Sequence, residues 1–239
     1  MKMKNKKAEQ IAAKRKHREQ LKAKRRSEPA FQRPAPKLKT KPTILIVCEG
    51  KNTEPSYFNQ FRLSTATVKP IGEGYNTVSL VERAKQLTDE DTYEQVWCVF
   101  DADPKPDNPD QESNFNNAIS KAVSKGFGVA YSNQAFEYWI ILHFEDHQGG
   151  GMRRTEYNAR INQLLKPFGV VYDGAKSKRV TEELFELLDG VEEKTGLKRV
   201  DMAIRRAGRN YDRFDHFNPA IKECSTTVFR LVKVLLEYL

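Results

Sequence analysis

Apolar residues come in short unbroken runs in the first half of the chain and in helical stripes in the second. Thr43 to Cys48, TILIVC, is rich in Ile and Val and too short for a buried helix, which predicts an interior strand of a mainly parallel sheet. Thr53 follows as an expected helix cap, Pro55 is tolerated in a first turn, and Tyr57, Phe58 and Phe61 give that helix an apolar side. Ala66 to Ile71 is a second candidate strand, and helical spacing resumes from Val78 in VSLVERAKQL. Gln95 to Phe100, QVWCVF, is a third short run, and it ends in Asp101-Ala-Asp103-Pro. A stripe of Phe115, Ile119, Ala122 and Val123 predicts a helix ending near Gly126, before a fourth candidate strand from Phe127 to Tyr131.

Strands alternating with helices predict an α/β layered fold, a mainly parallel sheet flanked by helices. Beyond Asn133 the pattern turns helical. Ala135 to Phe144 reads as an apolar helix, the GGG at 149–151 as a break, and Thr155 as the cap of a helix ending before Pro167. Val180 to Leu188 and Leu197 to about Arg209 are further helices. A last one repeats Val228, Leu231, Val232, Leu235, Leu236 and Leu239 at intervals of three and four, a core-facing stripe. The expected organisation is an arm over 1–41 and a body over 42–239, with an α/β core at 42–133 and a helical C-terminal extension at 134–239 packed on it.

Charge divides the chain at the same place. The net charge is +9 over 239 residues, yet residues 1–41 hold 16 Lys and Arg against three Glu, a net +13, which leaves the remainder at −4. The arm has too few apolar side chains to fold by itself and is expected to be disordered or helical; its charge suits nucleic-acid phosphates. The stretch from Pro29 to Pro42 reads as a linker. There is no apolar run near 18 residues and no secretory signal, so the expectation is a cytoplasmic protein with no membrane association. Cys48, Cys98 and Cys224 lack paired metal spacing and are expected to be buried and reduced.

The chemistry lies where the apolar runs stop. Ligands of open α/β sheets gather outside the carboxyl ends of the strands, and here Glu49 follows the first strand while Asp101 and Asp103 follow the third. If the chain stays extended through Asp103, the two aspartates share one side, roughly 6 to 7 Å apart. Carboxylates brought together repel unless a divalent ion neutralises them, and hard oxygen ligands suit Mg²⁺ or Mn²⁺ beside a phosphate. Lys51 and Lys105 flank the acids and are candidate substrate-binding groups.

An apolar strand ending in Glu-Gly, followed about 50 residues later by one ending in Asp-x-Asp, resembles the Toprim signature of primases, topoisomerases and OLD-type nucleases. VCEGKNTEPSYF, VFDADP, NQAFEYWIILHF, the late Asn-Pro and STTVFRLVKVLLEYL resemble the RloB family of bacterial proteins from Thr43 to Leu239, without the basic arm. The resemblance implies a Toprim-like, metal-dependent nuclease linked to restriction loci and abortive infection, often encoded beside an ATPase. By position it implies a general acid or base and metal neighbour at Glu49, the metal-binding pair at Asp101 and Asp103, and an additional acid at Glu54 that serves a second metal. Glu137 lies in the family-like FEYW segment and is a further catalytic candidate. His143 shares a helical face with Trp139 and not with Glu137, and is either a substrate contact or a helix-end histidine.

The expected reaction is phosphodiester hydrolysis of RNA or DNA, with the oligomeric state open. A topoisomerase would need a nucleophilic tyrosine, and none of the nine tyrosines stands in a recognisable context for it. A phosphotransferase using Asp-x-Asp as nucleophile and acid usually carries it after the first strand with Gly-Thr following, whereas here the strand is later and Pro104 follows. The other class is a non-catalytic nucleic-acid-binding or regulatory partner of an ATPase, which would keep its effect when Asp101 and Asp103 are replaced. GEGYNT at 72–77 lacks the Lys-Ser/Thr pair of a P-loop and reads as a turn into the next helix.

Overall fold

Every strand of the sheet runs in the same direction, and the apolar runs read from the sequence are its interior. A computed structural model describes residues 3–27, 42–70, 77–103, 110–148, 152 and 154–239. Residues Met1–Thr40 and Lys41–Leu239 form two separate compact units. The first holds helix α1, Met3–Ser27. Its residues from Glu9 to Ala23 are exposed, so the helical form of the expected arm is the one found, and Arg15 pairs with Glu19 one turn on at 3.5 Å. The linker between 29 and 41 and the GGG break lie outside the described residues.

In the second unit the order is β1 (Ile44–Cys48), α2 (Thr53–Asn59), β2 (Ala66–Pro70), α3 (Thr77–Glu90), β3 (Gln95–Asp101), α4 (Gln111–Ser124) and β4 (Gly128–Ser132). The strands pair in parallel in the order β2-β1-β3-β4. This is the Toprim-like α/β arrangement. β1 has no exposed residue, as its uniform Ile, Leu and Val content requires for a strand covered on both faces. Side-chain alternation divides it: Ile44, Ile46 and Cys48 face a core shared with α2 and the C-terminal helices, while Leu45 and Val47 face a second core under α3 and α4. Gly126, at φ +75°, turns the chain from α4 into β4.

The C-terminal half is helical: α5 (Glu137–Leu142), α6 (Arg154–Leu165), α7 (Glu182–Asp189), α8 (Arg199–Asp212) and α9 (Val228–Leu236). Thr226 bridges to Ser132 at the end of β4, and Thr227 Oγ1 accepts from the Tyr131 amide at 2.9 Å, so the chain before α9 is fastened beside the sheet. The stripe of α9 is core, with Val228, Leu231, Val232 and Leu235 fully buried; Leu239, expected on the same stripe, is 68% exposed beyond the helix end.

Several local expectations need correction. Thr53 is the first helical residue, not the cap; Asn52 precedes it, and the Thr53 hydroxyl is turned toward Tyr172 instead. Thr155 lies inside α6 and does not cap it. The true side-chain cap is Thr181, whose hydroxyl accepts from the Leu184 amide at 3.2 Å at the start of α7. Among the described residues no helix is long and apolar enough to cross a membrane. All three cysteines are buried; burial pushes the thiol of Cys98 up to about 12 and that of Cys224 to about 11, which keeps them protonated and inert.

Candidate active site

From β1 the chain goes out to β2 on one side, and β3 then lies on the other side of β1, so the direction of winding reverses between β1 and β3. Crevices in parallel sheets open at such a reversal, outside the carboxyl ends of the two strands. Glu49 and Asp101 stand at those ends.

The Glu49 amide donates to the Val99 carbonyl at 2.9 Å, which extends the β1–β3 ladder one step past the strand, and Glu49 Oε2 accepts from the Asp101 amide at 3.4 Å. Asp101 is 8% exposed and pairs with Ser132 in the ladder. Its Oδ2 accepts from the Phe136 amide at 3.1 Å, which fixes the end of β3 to the start of α5. Glu54, in the first turn of α2, is 6% exposed and lies against the backbone of Gly50: a Cβ placed on Gly50 would be 2.8 Å from both Cδ and Oε1 of Glu54. The glycine of the Glu-Gly pair therefore makes room for the second acid. Glu137, the first residue of α5, is 8% exposed, and its Oε1 accepts from the Tyr172 hydroxyl at 2.9 Å.

Tyr172 comes from the segment between α6 and α7, and its hydroxyl also lies 3.4 Å from Thr53 Oγ1. It joins the starts of α2 and α5, the two helices that carry Glu54 and Glu137. Burial, and next the charge of Glu137, drive its phenol well above the usual tyrosine range, so it stays protonated and donates. Tyr157 of α6 is raised too, first by burial and then by neighbours that include Asp101 and Glu137. Burial raises the Cys48 thiol as well, with the charges of Glu54 and Asp101 among the further causes. Asp101 with Glu54, and Asp101 with Glu137, thus act on common buried neighbours. The contact of Tyr172 with Thr53 could not be found from sequence: the two lie 119 residues apart, and Tyr172 stands in no motif.

Asp103 departs from the sequence reading. β3 ends at Asp101, and Asp103 takes φ +35° while its amide donates to the Gln134 carbonyl at 3.2 Å. The chain does not stay extended through Asp-x-Asp, so the alternation expected to place the two aspartates together does not apply. Among the described residues, no group of three or more His, Cys, Asp or Glu is arranged to hold a metal ion, so Glu49, Asp101 and Asp103 are not preassembled as one. The donor chemistry still fits a hard cation. Mg²⁺ keeps several waters and needs only one or two protein carboxylates beside substrate phosphates, and Glu49 and Asp101 supply such a pair.

Lys51 is exposed beside the site, and Lys105 lies outside the described residues. His143 is a core residue. It is 1% exposed, its Nδ1 meets the Trp139 carbonyl at 2.9 Å, and its ring lies edge-on to Trp139 and Tyr57. A substrate contact through that ring is excluded by its burial; the other option, a structural histidine just after the helix, is the one found.

No curated protein and no solved structure matches the chain at a significant level. A family model described as RloB-like protein matches residues 44–235, from the first residue of β1 to within one residue of the end of α9. That match takes in the whole sheet, all the carboxylates of the crevice and the helices that bury them, and omits the basic arm: the chain belongs to the RloB-like family.

Proposed function

We propose that this protein hydrolyses phosphodiester bonds in nucleic acid with the help of Mg²⁺ or Mn²⁺, as a nuclease of antiviral defence of the abortive-infection kind, with a partner ATPase supplying any nucleotide-driven step. The observation that supports it best is that Glu49 and Asp101 stand at the carboxyl ends of β1 and β3 with Glu54 and Glu137 at the starts of α2 and α5, and that three of the four are at 8% exposure or less. Burying carboxylates costs a fold stability, whereas a hard cation beside a phosphate calls for one or two of them.

Glu49 and Asp101 would hold the cation, with Asp103 and Glu54 the candidates to complete the set. A bound divalent ion supplies Lewis-acid activation of water and neutralises charge on the phosphate. The chain's own groups orient and move protons. Asp101 is held by the Phe136 amide, and Glu49 by the Asp101 amide, so both carboxylates are fixed before substrate arrives. Glu49, the half-buried member, is the base that takes the proton of the attacking water. Glu137, whose Oε1 accepts from the Tyr172 hydroxyl, is the further catalytic candidate at the start of α5. The exposed Lys51 offers a cation to the substrate phosphate, and the basic arm counters the acidity of the body toward a polyanion.

The test is cleavage of total tRNA, single-stranded RNA and plasmid DNA by purified protein in Mn²⁺ or Mg²⁺, with and without the neighbouring ATPase, beside Asp101→Ala. Cleavage that needs the metal and vanishes in the variant supports hydrolysis. Cleavage that persists in Asp101→Ala removes the crevice from the chemistry, and a defence phenotype that survives the substitution makes the protein a binding partner instead.

A further inference from the structure

One concavity of the second unit contains none of the crevice carboxylates. It is a groove of about 750 Å³ between α8 and α9, lined by Ile204, Gly208 and Phe229 on its floor and by Arg205, Arg209, Arg213, Arg230 and Lys233 on its walls, with Asp212 as the single acid. Residues 42–239 carry a net −4, so five cations against one acid are not a sample of their average surface.

Their spacing is regular. Arg205, Arg209 and Arg213 recur every four residues, which sets one per turn on one side of α8, about 6 Å apart along the axis. Arg230 and Lys233 stand three apart on α9. A merely solvated helix face mixes signs at this spacing, as Lys85 and Asp89 do on α3, because like charges one turn apart repel by a few tenths of a kcal/mol. Gly208 keeps the floor open, with its nearest neighbour, the Phe229 ring, 4.0 Å from where a Cβ would stand. Three of the cations are held in place: Arg209 by Asp146 at 2.6 Å, Arg213 by Gln148 at 2.8 Å, and Arg230 over the Tyr211 ring at 4.5 Å. Among the described residues, Arg205 and Lys233 have no ion-pair partner.

An exposed aromatic follows α8 in the chain, four residues after Arg213. His216 stacks on Tyr211, ring centres 3.9 Å apart and 13° from parallel, which draws the following loop back against the helix. The next residue, Phe217, is 97% exposed. A cationic row able to track a backbone, with a bare aromatic four residues beyond its last arginine, matches the way proteins hold single-stranded nucleic acid: phosphates on cations and a base on a ring.

We propose that the α8/α9 groove is a binding track for single-stranded nucleic acid, with Arg205, Arg209, Arg213, Arg230 and Lys233 on phosphates and Phe217 stacking a base. This deepens the nuclease reading and rests on its nucleic-acid substrate, because the track would deliver a strand to the same body that carries the carboxylate crevice.

The test is fluorescence anisotropy of the full chain with a labelled single-stranded oligonucleotide and with a duplex of equal length, in EDTA, over a series of monovalent salt. Arg205→Glu/Lys233→Glu removes two cations without breaking an ion pair, and Lys166→Glu/Lys194→Glu makes the same charge change on exposed lysines away from the groove. Two lost phosphate contacts should lower the slope of log K against log salt by about 1.4 and the single-strand affinity roughly 25-fold at about 0.1 M salt. Phe217→Ala should weaken single-strand binding and leave duplex binding unchanged. Equal losses in both double variants, or unchanged single-strand affinity in the groove variant, overturn the track. So does a groove variant that loses binding to polyglutamate alone, which would mark an acidic protein partner. Because binding is read without metal, failure of the groove leaves cleavage standing, and failure of cleavage leaves the groove standing.

Discussion

Replacing Gly50 by Ala tests the crevice through a residue that has no chemistry of its own. The added Cβ would lie 2.8 Å from Cδ and Oε1 of Glu54 and closer still to Oε2, whereas ordinary contact begins at 3.4 Å, so the carboxylate must retreat by more than half an ångström. The obstacle is the far end of a flexible side chain and not backbone, so the fold absorbs it. A Gly→Ala change also removes freedom from the unfolded chain, worth about 0.4 to 1 kcal/mol in favour of the native state. The net change in stability should stay within about 1 kcal/mol, a melting shift of no more than about 4 °C for a body of this size. Misplacing a catalytic group by about 1 Å can cost 10²-fold in rate. Gly50→Ala should therefore lower metal-dependent cleavage by about that factor while the melting temperature barely moves.

A double-mutant cycle separates the route of the effect. If Gly50→Ala acts through Glu54, adding it to Glu54→Ala changes nothing further, and the two losses are strongly non-additive. Cleavage rates and thermal melts of the wild type, both single variants and the double variant supply every term. Wild-type cleavage by Gly50→Ala would refute the part assigned to Glu54. A full second loss in the Glu54→Ala background would show that the methyl acts through something other than the carboxylate.

Three further outcomes follow from buried groups. Burial holds His143 at about 3, below its usual 6.5, so it is neutral in the fold while the unfolded chain takes up its proton as pH falls through 6.5. Stability is then lost from about pH 6.5 down toward pH 3 at roughly 1.4 kcal/mol per pH unit, and His143→Phe should flatten that part of a denaturation series. Tyr172→Phe leaves Glu137 Oε1 without the hydroxyl it accepts from and should cost roughly 1 to 3 kcal/mol in urea melts, with kcat falling more than KM changes. Asn210→Ala deletes donors to the Tyr138 hydroxyl at 2.8 Å, across the α5–α8 contact, and to the His147 carbonyl at 3.1 Å in the segment after α5; roughly 2 kcal/mol and a melting temperature lower by about 4 to 8 °C are expected.

How far the fold could be read from sequence depends on what kind of contact fixes each part. β1 and β3 are unbroken apolar runs because both their faces are covered, and a run of that length permits little besides a buried strand. The acids at their ends could be found because a strand end in a parallel sheet is where a ligand lies. Expectations that relied on regular continuation failed where the backbone leaves its regular path: Asp103 sits at φ +35° and Gln134 at φ +79°, and neither turn carries a glycine to announce it. The predicted helix from 135 to 144 shrinks to Glu137–Leu142 for a related reason. Every residue from Ala135 to His143 is buried, so no polar stripe marks its ends, and three-residue bonds such as Trp139 N–H to the Phe136 carbonyl at 2.9 Å tighten its first turn. Tyr172 was invisible because its part is set by a contact across the whole fold.

The burial of the acids is the deepest contrast between sequence and structure. Read as a string, Glu49, Glu54, Asp101 and Glu137 are four polar residues beside turns, where acids are commonly solvated. In the structure the last three sit at 8% exposure or less, each reached through a different anchor: the backbone of Gly50 beneath Glu54, the Phe136 amide on Asp101, the Tyr172 hydroxyl on Glu137. Apolar residues of similar volume would pack those positions at lower cost, since a buried carboxylate is destabilising unless something compensates it. Local rules of stability are broken together, at one place, at the winding reversal of the sheet, and such concentrated violation is the mark of a functional site. Similar reasoning applies to the α8/α9 groove, where Arg205 and Lys233 add like charge with no ion-pair partner among the described residues. Two opposite charge concentrations on one acidic body, one buried and one open, would let the proposed nuclease hold a polyanion in one place and act on it in another.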